Sequence, residues 1–372
     1  MKKNIVIVVS ALNMGGAQRV VSILANKWSK KSHNVSLICT FSDEVKSHYL
    51  INKNVNIINL TNSPLFPGNK LLNLLWKLFS LRKLIKCQNP DIVISFLARV
   101  NLATALATIG IKSRIILCER TWPPFTSLNQ RFIWFYRILF RRVSKIIVQT
   151  NKSKSWLENN FPKINVGVIP NPVVYPLPSE KKNLIDPRNI ISNEKRLILA
   201  SGRLHKFKQF HILIKAFSLI SKENPNWDLV ILGEGEERQA LEELIHDLDL
   251  TKRVFLPGSV GNISVWYEKA DLFVLSSIVE GFPNVLLEAM SYGIPSVSFD
   301  CDTGPRDMIQ NKINGLLVDP NEKELGLSNA ISLLTTEEEF RSYIALNSIE
   351  IRDKFSETII MKTWDGLLES KN

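Results

Sequence analysis

Acidic side chains are scarce in the first half of this chain. Residues 1–190 hold 7 Asp and Glu against 28 Lys and Arg, a net +21, whereas residues 191–372 hold 28 acids against 19 bases, a net −9, which together give the overall +12. So lopsided a division excludes an evenly balanced surface. It points to an anionic partner for the first half, a nucleic acid or an anionic membrane face, with a basic solubilising surface as the plainer alternative. Long apolar runs are also missing. No stretch of about 18 uninterrupted apolar residues occurs, which excludes a convincing spanning helix. The opening segment Met1–Ser10 superficially resembles a signal peptide. Its apolar run is short, and Asn13, Gly15 and Gly16 follow without a cleavage-type site, so a first buried strand is expected instead. Cysteine is sparse: Cys39, Cys87, Cys118 and Cys301 form no C-x-x-C pair. That pattern excludes a structural zinc site and suits a reducing compartment. The histidines (His33, His48, His205, His211, His246) show no ligand spacing, and no G-x-S-x-G hydrolase elbow is present.

What is there reads as two α/β halves. A length of 372 residues suggests two domains, and 45% apolar content is ample for two cores. Short apolar runs between helical stretches predict strands at Ile5–Ser10, Val35–Cys39, Val55–Leu60, Asp91–Phe96, Ile115–Glu119, Lys145–Thr150 and Val166–Ile169. The second half repeats the pattern at Arg196–Ser201, Trp227–Leu232, Val254–Pro257, Leu272–Ser276, Pro295–Phe299 and Leu316–Val318. Most are continuous rather than alternating, as strands buried on both faces of a parallel sheet are. Strand–helix alternation through both halves predicts two doubly wound, Rossmann-like domains. The expected division is 1–175, a Pro/Lys/Asn-rich linker at 176–195, and 196–354, with a helix in 355–372 packing back on the first domain. Ligands bind at the carboxyl ends of such strands, and two facing domains would turn that edge into an interdomain cleft.

Several of those strand ends carry chemistry. Glu280 and Glu288 lie eight positions apart, the first in the Gly281-Phe282-Pro283-Asn284 turn and the second on the helix that follows. At 1.5 Å per residue, one carboxylate stays at the turn and the other lies about two turns along. A nucleotide sugar laid on that helix start could be held at its sugar and ribose ends, with its pyrophosphate at the backbone N–H groups. Two solvated helix acids are the alternative. The first strand runs into Asn13-Met14-Gly15-Gly16, where glycines allow a close ligand approach or simply make a tight turn. Gly202-Arg203-Leu204 with Lys208 places two cations at a strand end, suited to a leaving diphosphate or to bulk water. Gly233-Glu234-Gly235 is surrounded by acids that would repel phosphate, so a plain turn before a capped helix is expected. Asp300-Cys301-Asp302 matches a D-x-D metal pattern but has no third ligand nearby, and Asp302–Pro305 is expected to shape a loop. In the basic half, Lys70–Lys86 and Gln130–Lys145 mix bases with Leu, Trp and Phe. They read either as interfacial helices on an anionic leaflet or as helices whose apolar faces cover the sheet.

Taken together, Gly15-Gly16, Gly202-Arg203-Leu204 with Lys208, Gly233-Glu234-Gly235, the Glu280/Glu288 pair and the segment Leu275–Asn284 resemble a retaining glycosyltransferase of family four with the GT-B fold. The likeness extends over the whole chain and is clearest over 196–318. It is similar to bacterial enzymes that build lipid-linked oligosaccharides, O-antigens or capsules, including N-acetylgalactosamine transferases of protein glycosylation. The resemblance implies a UDP-sugar donor, a polyprenyl-diphosphate-linked glycan acceptor, no metal or other cofactor, no nucleic acid, and a cytoplasmic enzyme peripheral on the inner face of the plasma membrane through its basic first domain. It implies that Arg203 and Lys208 bind the donor diphosphate, Glu288 the ribose hydroxyls and Glu280 the transferred sugar. Gly202, Gly281, Phe282, Pro283, Asn284 and Val285 belong to the same donor-binding stretch, the backbone from Phe282 to Val285 helping to position sugar and phosphate, and Gly15 and Gly16 admit the diphosphate. Many relatives carry a His after the strand at 115–119. Glu119 stands there in this chain, and three roles are open to it: orienting the acceptor, touching the donor sugar, or pairing with Arg120. A non-catalytic basic nucleic-acid-binding protein is the rival from another class, and a pyridoxal-dependent phosphorylase-like enzyme is a second. The sugar transferred, the linkage and the oligomeric state stay open.

Overall fold

A computed structural model of the chain describes residues 2–12, 15–40, 47, 49–60, 69–125, 133–178 and 182–369. Asn13 and Met14 of the first glycine loop, His48, and Gln130, Arg131 and Phe132 of the second basic stretch lie outside the described residues. The chain divides into two units, Met1–Asn171 with Ile360–Asn372, and Pro172–Ile359. No described helix is long and apolar enough to cross a membrane.

The first unit runs β1 (Asn4–Val9), α1 (Gly16–Lys30), β2 (Asn34–Cys39), β3 (Asn56–Asn59), α2 (Lys70–Cys87), β4 (Ile92–Phe96), α3 (Ala98–Ala107), β5 (Arg114–Cys118), α4 (Ile133–Phe140), β6 (Lys145–Val148), α5 (Asn151–Asn160) and β7 (Val166–Val168). Its seven-stranded sheet has the order β3-β2-β1-β4-β5-β6-β7. Every pairing is parallel, with Ile5 opposite Val35 on one side and Ile92 on the other. The continuous apolar runs arise because both faces are covered. Ile5, Ile7 and Val9 pack with Val21, Leu24 and Trp28 of α1, while Val6 and Val8 pack with Leu81 and Ile85 of α2 on the opposite face.

The second unit runs β8 (Arg196–Ser201), α6 (Phe210–Ile220), β9 (Trp227–Leu232), α7 (Arg238–Asp247), β10 (Val254–Gly258), α8 (Ile263–Lys269), β11 (Leu272–Leu275), α9 (Asn284–Ser291), β12 (Ser296–Phe299), α10 (Pro305–Met308), β13 (Leu316–Val318), α11 (Lys323–Thr336), α12 (Glu338–Ser348) and α13 (Ile351–Lys354). Its six-stranded parallel sheet has the order β10-β9-β8-β11-β12-β13. Connections leave β8 in one direction for β9 and β10, and in the other for β11 to β13, so the sheet reverses between β8 and β11. In open α/β sheets that reversal is where ligands bind.

The last helix, α14 (Glu357–Glu369), carries Ile360, Met361, Trp364, Leu367 and Leu368 into the core of the first unit. Trp364 meets Trp28 edge-on and lies beside Phe96. The Pro-rich stretch read as a linker is laid down on the second unit, where Val173, Leu177 and Ile191 are buried. The Val173 N–H donates to the Phe355 carbonyl (2.8 Å), and the Asn262 amide exchanges hydrogen bonds with both backbone groups of Ile185. Polar, proline-rich composition signals irregular backbone here, and buried hydrophobes fix it in place.

The two basic amphipathic stretches differ from helices that simply cover a sheet. Leu81 and Ile85 bury the second half of α2, but Leu71, Leu72, Leu74, Leu75 and Phe79 of its first half are exposed. In α4, Leu139 and Phe140 are buried and Ile138 is exposed.

Candidate functional site

The reversal in the second sheet gathers four strand ends. At the end of β8, the Gly202 N–H donates to the Leu232 carbonyl (2.9 Å) and the Leu204 N–H to the Glu234 carbonyl (2.9 Å). Leu204 is wholly buried and anchors the loop, which leaves its neighbour Arg203 exposed. His205 Nδ1 accepts from the Phe207 N–H (3.2 Å) and starts a single 3-10 turn over Lys206–Lys208. Gln209, with φ 48°, then turns the chain into α6. A side chain on Gly202 would come within 3.2 Å of Lys208 Cε, so the glycine leaves room for the lysine stem.

At the end of β9, Gly233 and Gly235 sit against this loop. A Cβ on Gly233 (φ 140°) would fall 1.9 Å from the Gly202 carbonyl oxygen, and one on Gly235 would fall 2.2 Å from that of Leu204. Their purpose is close approach between two strand ends. Two of the acids around them have basic partners: Glu234 pairs with Arg238 (2.7 Å), and Glu236 lies 3.0 Å from Arg203 Nη2 and 3.2 Å from His205 Nε2. The expectation of a capped helix is corrected as well, because α7 begins without a side-chain cap hydrogen bond.

At the end of β11 lies the Glu280 turn. The Ser276 hydroxyl donates to the Lys208 carbonyl (2.7 Å) and the Ile278 N–H to the Phe207 carbonyl (3.0 Å), tying this turn to the 3-10 turn. Lys208 Nζ meets Glu280 Oε1 at 2.5 Å, with the two side chains 22% and 12% exposed. Gly281 continues the turn, Phe282 is buried edge-on against Phe355 (centroids 5.5 Å apart), and Pro283 leads into α9. Asn284 and Val285 open α9, whose first turn has neither an acidic residue nor a side-chain cap. An uncapped helix start of this length attracts anions. Glu288 lies one turn along α9, is buried, and accepts from the Tyr267 hydroxyl (3.2 Å). Neither glutamate is therefore an ordinary solvated helix acid.

At the end of β12, the Thr303 hydroxyl donates to the Glu280 carbonyl. Gly304 (φ 101°) lies against Pro283, where a Cβ would come within 2.4 Å of Pro283 Cδ. Asp307 Oδ2 accepts the Gly304 N–H (3.3 Å), and burial pushes the Asp307 carboxyl above the usual carboxylate range. Asp300 is taken up by Arg306. The Cys301 thiol, between the two aspartates, is pushed up to about 12 by burial. Sequence reasoning named neither Ser276, Tyr267 nor Glu236 in a role, and read Thr303 and Gly304 only as loop. The one signal available was the small-residue run Thr303-Gly304-Pro305 directly after a strand.

The first unit places its own residues at the carboxyl edge of its sheet. Gly15 precedes α1, whose first turn contains no acid. The Gly15 N–H donates to the Tyr49 hydroxyl oxygen (3.3 Å), and that hydroxyl stands 3.2 Å from the Gly15 carbonyl. Glu119 follows β5 and is buried; its Oε1 accepts from the Thr121 hydroxyl (2.9 Å) and the Arg120 N–H (3.2 Å). Burial raises its pKa above the carboxylate range, against those hydrogen bonds. Of the three roles open to it, side-chain pairing with Arg120 is not made. The Arg120 guanidinium donates through Nη1 to Asn171 Oδ1 (3.0 Å) and stacks over Phe96 and Trp364.

Two family models match the chain in succession: Glycosyltransferase Family 4 over residues 14–174 and Glycosyl transferases group 1 over residues 181–350. A curated relative from Campylobacter jejuni is the GalNAc-alpha-(1->4)-GalNAc-alpha-(1->3)-diNAcBac-PP-undecaprenol alpha-1,4-N-acetyl-D-galactosaminyltransferase. It is 29% identical over 98% of each chain. Among solved structures, sucrose-phosphate synthase from Thermosynechococcus elongatus superposes with a TM-score of 0.82 at 17% identity, over 98% of both chains. HepE of Anabaena in complex with UDP does so with a TM-score of 0.77 at 18% identity, over 100% of both.

Proposed function

The chain belongs to the GT-B-fold glycosyltransferases of family 4, and we propose that it transfers a hexose or N-acetylhexosamine from a UDP-sugar to a polyprenyl-diphosphate-linked glycan with retention of configuration. The observation that carries the donor assignment is the convergence of Lys208, Glu280, the uncapped start of α9 and buried Glu288 at the reversal of one sheet. UDP in the HepE structure supports the nucleotide, and the name of the Campylobacter relative supports the acceptor.

In this assignment the diphosphate lies between Arg203, Lys208 and the α9 amides. Arg203 forks onto phosphate oxygens and Lys208 supplies a point charge. Glu288, held by Tyr267, accepts from the ribose hydroxyls, and Glu280 accepts from the sugar. As the bond from the anomeric carbon to the diphosphate oxygen breaks, the two cations take up the charge on the leaving group, and the carbon gains oxocarbenium character. The acceptor hydroxyl then attacks from the face the diphosphate leaves, and a departing phosphate oxygen takes its proton. The charge is met by side chains in this scheme, so activity is expected to persist in EDTA. A glycosyl adduct trapped on another carboxylate in Glu280→Gln would replace this scheme with a double displacement.

The acid-poor first unit and the exposed apolar half of α2 support peripheral attachment to an anionic inner leaflet, where a lipid-linked acceptor is presented. Co-sedimentation with phosphatidylglycerol vesicles but not phosphatidylcholine vesicles is expected. The donor assignment is tested by thermal stabilisation and hydrolysis across a panel of nucleotide sugars, with Arg203→Ala and Glu288→Gln alongside. A melting shift with one UDP-sugar, lost in both variants, is expected. No shift with any of them in a folded protein would overturn it.

A further inference from the structure

Each cation assigned to the diphosphate already has a carboxylate partner, and the two pairs differ in kind. Arg203 and Glu236 are 72% and 49% exposed, so water and salt screen them and their pairing is weak. Lys208 and Glu280 stand 2.5 Å apart and are 22% and 12% exposed. A pair this close and this shielded keeps most of its attraction. A phosphate group arriving at Lys208 must therefore share the ammonium with a carboxylate of its own sign, which disfavours both anions.

The backbone around the pair is fixed. The Lys208 carbonyl is held by the Ser276 hydroxyl, the Glu280 carbonyl by the Thr303 hydroxyl, and the Phe207 carbonyl by the Ile278 N–H. Exchange of partners thus falls to the two side chains alone, with no rearrangement of the loops.

We infer that Glu280 is the resident counter-ion of Lys208, surrendered to the sugar hydroxyls when the whole donor binds and returned to Lys208 when only the nucleoside diphosphate remains. The inference rests on the donor assignment above and adds a direction to it. The intact donor brings hydroxyl donors that accept the displaced carboxylate as a partner. The product diphosphate brings none, so Glu280 competes with it for Lys208 and speeds its departure. One residue thereby distinguishes substrate from product at a site that both occupy through the same phosphates.

Titration calorimetry with UDP and with uridine, on the full chain and on Glu280→Gln and Glu236→Gln, tests this. Gln keeps the size of Glu and an oxygen for Lys208 Nζ, and a thermal melt checks that each variant is folded. UDP is expected to bind Glu280→Gln about tenfold tighter than the native chain. Uridine, which lacks phosphates, is expected to bind both alike. The screened Glu236 pair predicts a change of less than about twofold in Glu236→Gln. UDP affinity that is unchanged or weaker in Glu280→Gln, with uridine binding intact, would overturn the counter-ion role alone. Uridine tightening in step with UDP would do the same, because it would mark a general loosening of the site. Absence of binding by UDP and uridine to the native chain would instead overturn the donor assignment, and the counter-ion role with it.

Discussion

Gly235→Ala is the sharpest probe of how the two cations are held. A Cβ there would lie 2.2 Å from the Leu204 carbonyl oxygen, 2.7 Å from its carbon and 2.8 Å from the Leu204 nitrogen, all backbone atoms. Gly235 is outside the left-handed region, so alanine meets no dihedral strain and the effect is steric. Carbon and oxygen need roughly 3.3 Å, so the strand end carrying Arg203 must retreat by about 1 Å from its 2.2 Å clash. Two backbone hydrogen bonds span the gap, Leu204 N–H to Glu234 O (2.9 Å) and Glu237 N–H to Leu204 O (3.1 Å). A retreat of about 1 Å carries both beyond hydrogen-bond length. At about 1 kcal/mol net each, the loss is about 2 kcal/mol. For a body of this size the melting temperature falls by about 4–8 °C. If Arg203 binds the diphosphate as proposed, misplacing it by about 1 Å should also lower turnover by one to two orders of magnitude, roughly the sensitivity of positioned groups. Differential scanning fluorimetry with and without UDP reads the loss of stability, and release of UDP from the donor in a steady-state assay reads turnover. A melting temperature within about 1 °C of native, with the UDP response intact, would refute the close-approach account of these glycines.

Three further outcomes follow from the same geometry. Thr303→Val removes the donor to the Glu280 carbonyl while keeping the side-chain shape; turnover should drop about tenfold with KM for the donor changing less, and unchanged turnover would deny Thr303 its positioning role. Asp307 has a carboxyl raised mainly by burial, so its folded pKa exceeds its unfolded value and its contribution is lost as pH rises through the folded value. Asp307→Asn keeps an acceptor for Gly304 and should gain melting temperature over the native chain from about pH 4 upward; a difference independent of pH would contradict this. Burial pushes the thiols of Cys118 and Cys301 to about 12 and that of Cys39 to about 11, whereas Cys87 is exposed. Thiol titration at pH 8 should find one rapidly reacting group in the folded chain and four in denaturant.

The sheets were legible because parallel strands covered on both faces must be apolar at every position, and runs such as Ile5–Val9 and Leu197–Ala200 are. Placement within one loop was legible too: Glu280 stands in the turn and Glu288 on the helix that follows. Contacts between loops were not. Gly233 and Gly235 read as a turn because the backbone they accommodate arrives from β8, more than thirty residues earlier. The acids beside them read as repelling phosphate because Arg203 and His205, the partners of Glu236, are brought to it only by folding. Thr303 looked like loop because its acceptor is a carbonyl, which leaves no trace in residue type. The first half of α2 was ambiguous for a related reason. An apolar residue declares what it avoids, yet among the described residues Leu71 and Phe79 stay largely exposed.

The docking of α14 into the first unit has a consequence for synthesis. Trp28 and Phe96 are made early, yet the indole they pack against, Trp364, is made only after the whole second unit. Until then the apolar face that Ile360, Trp364 and Leu368 cover lies open. A nascent chain therefore carries an unfinished first body through most of its translation, a window in which chaperones and proteases have access to it. Nonsense mutations anywhere in the second half, even those that spare every residue of the first 171, should leave that body unsealed.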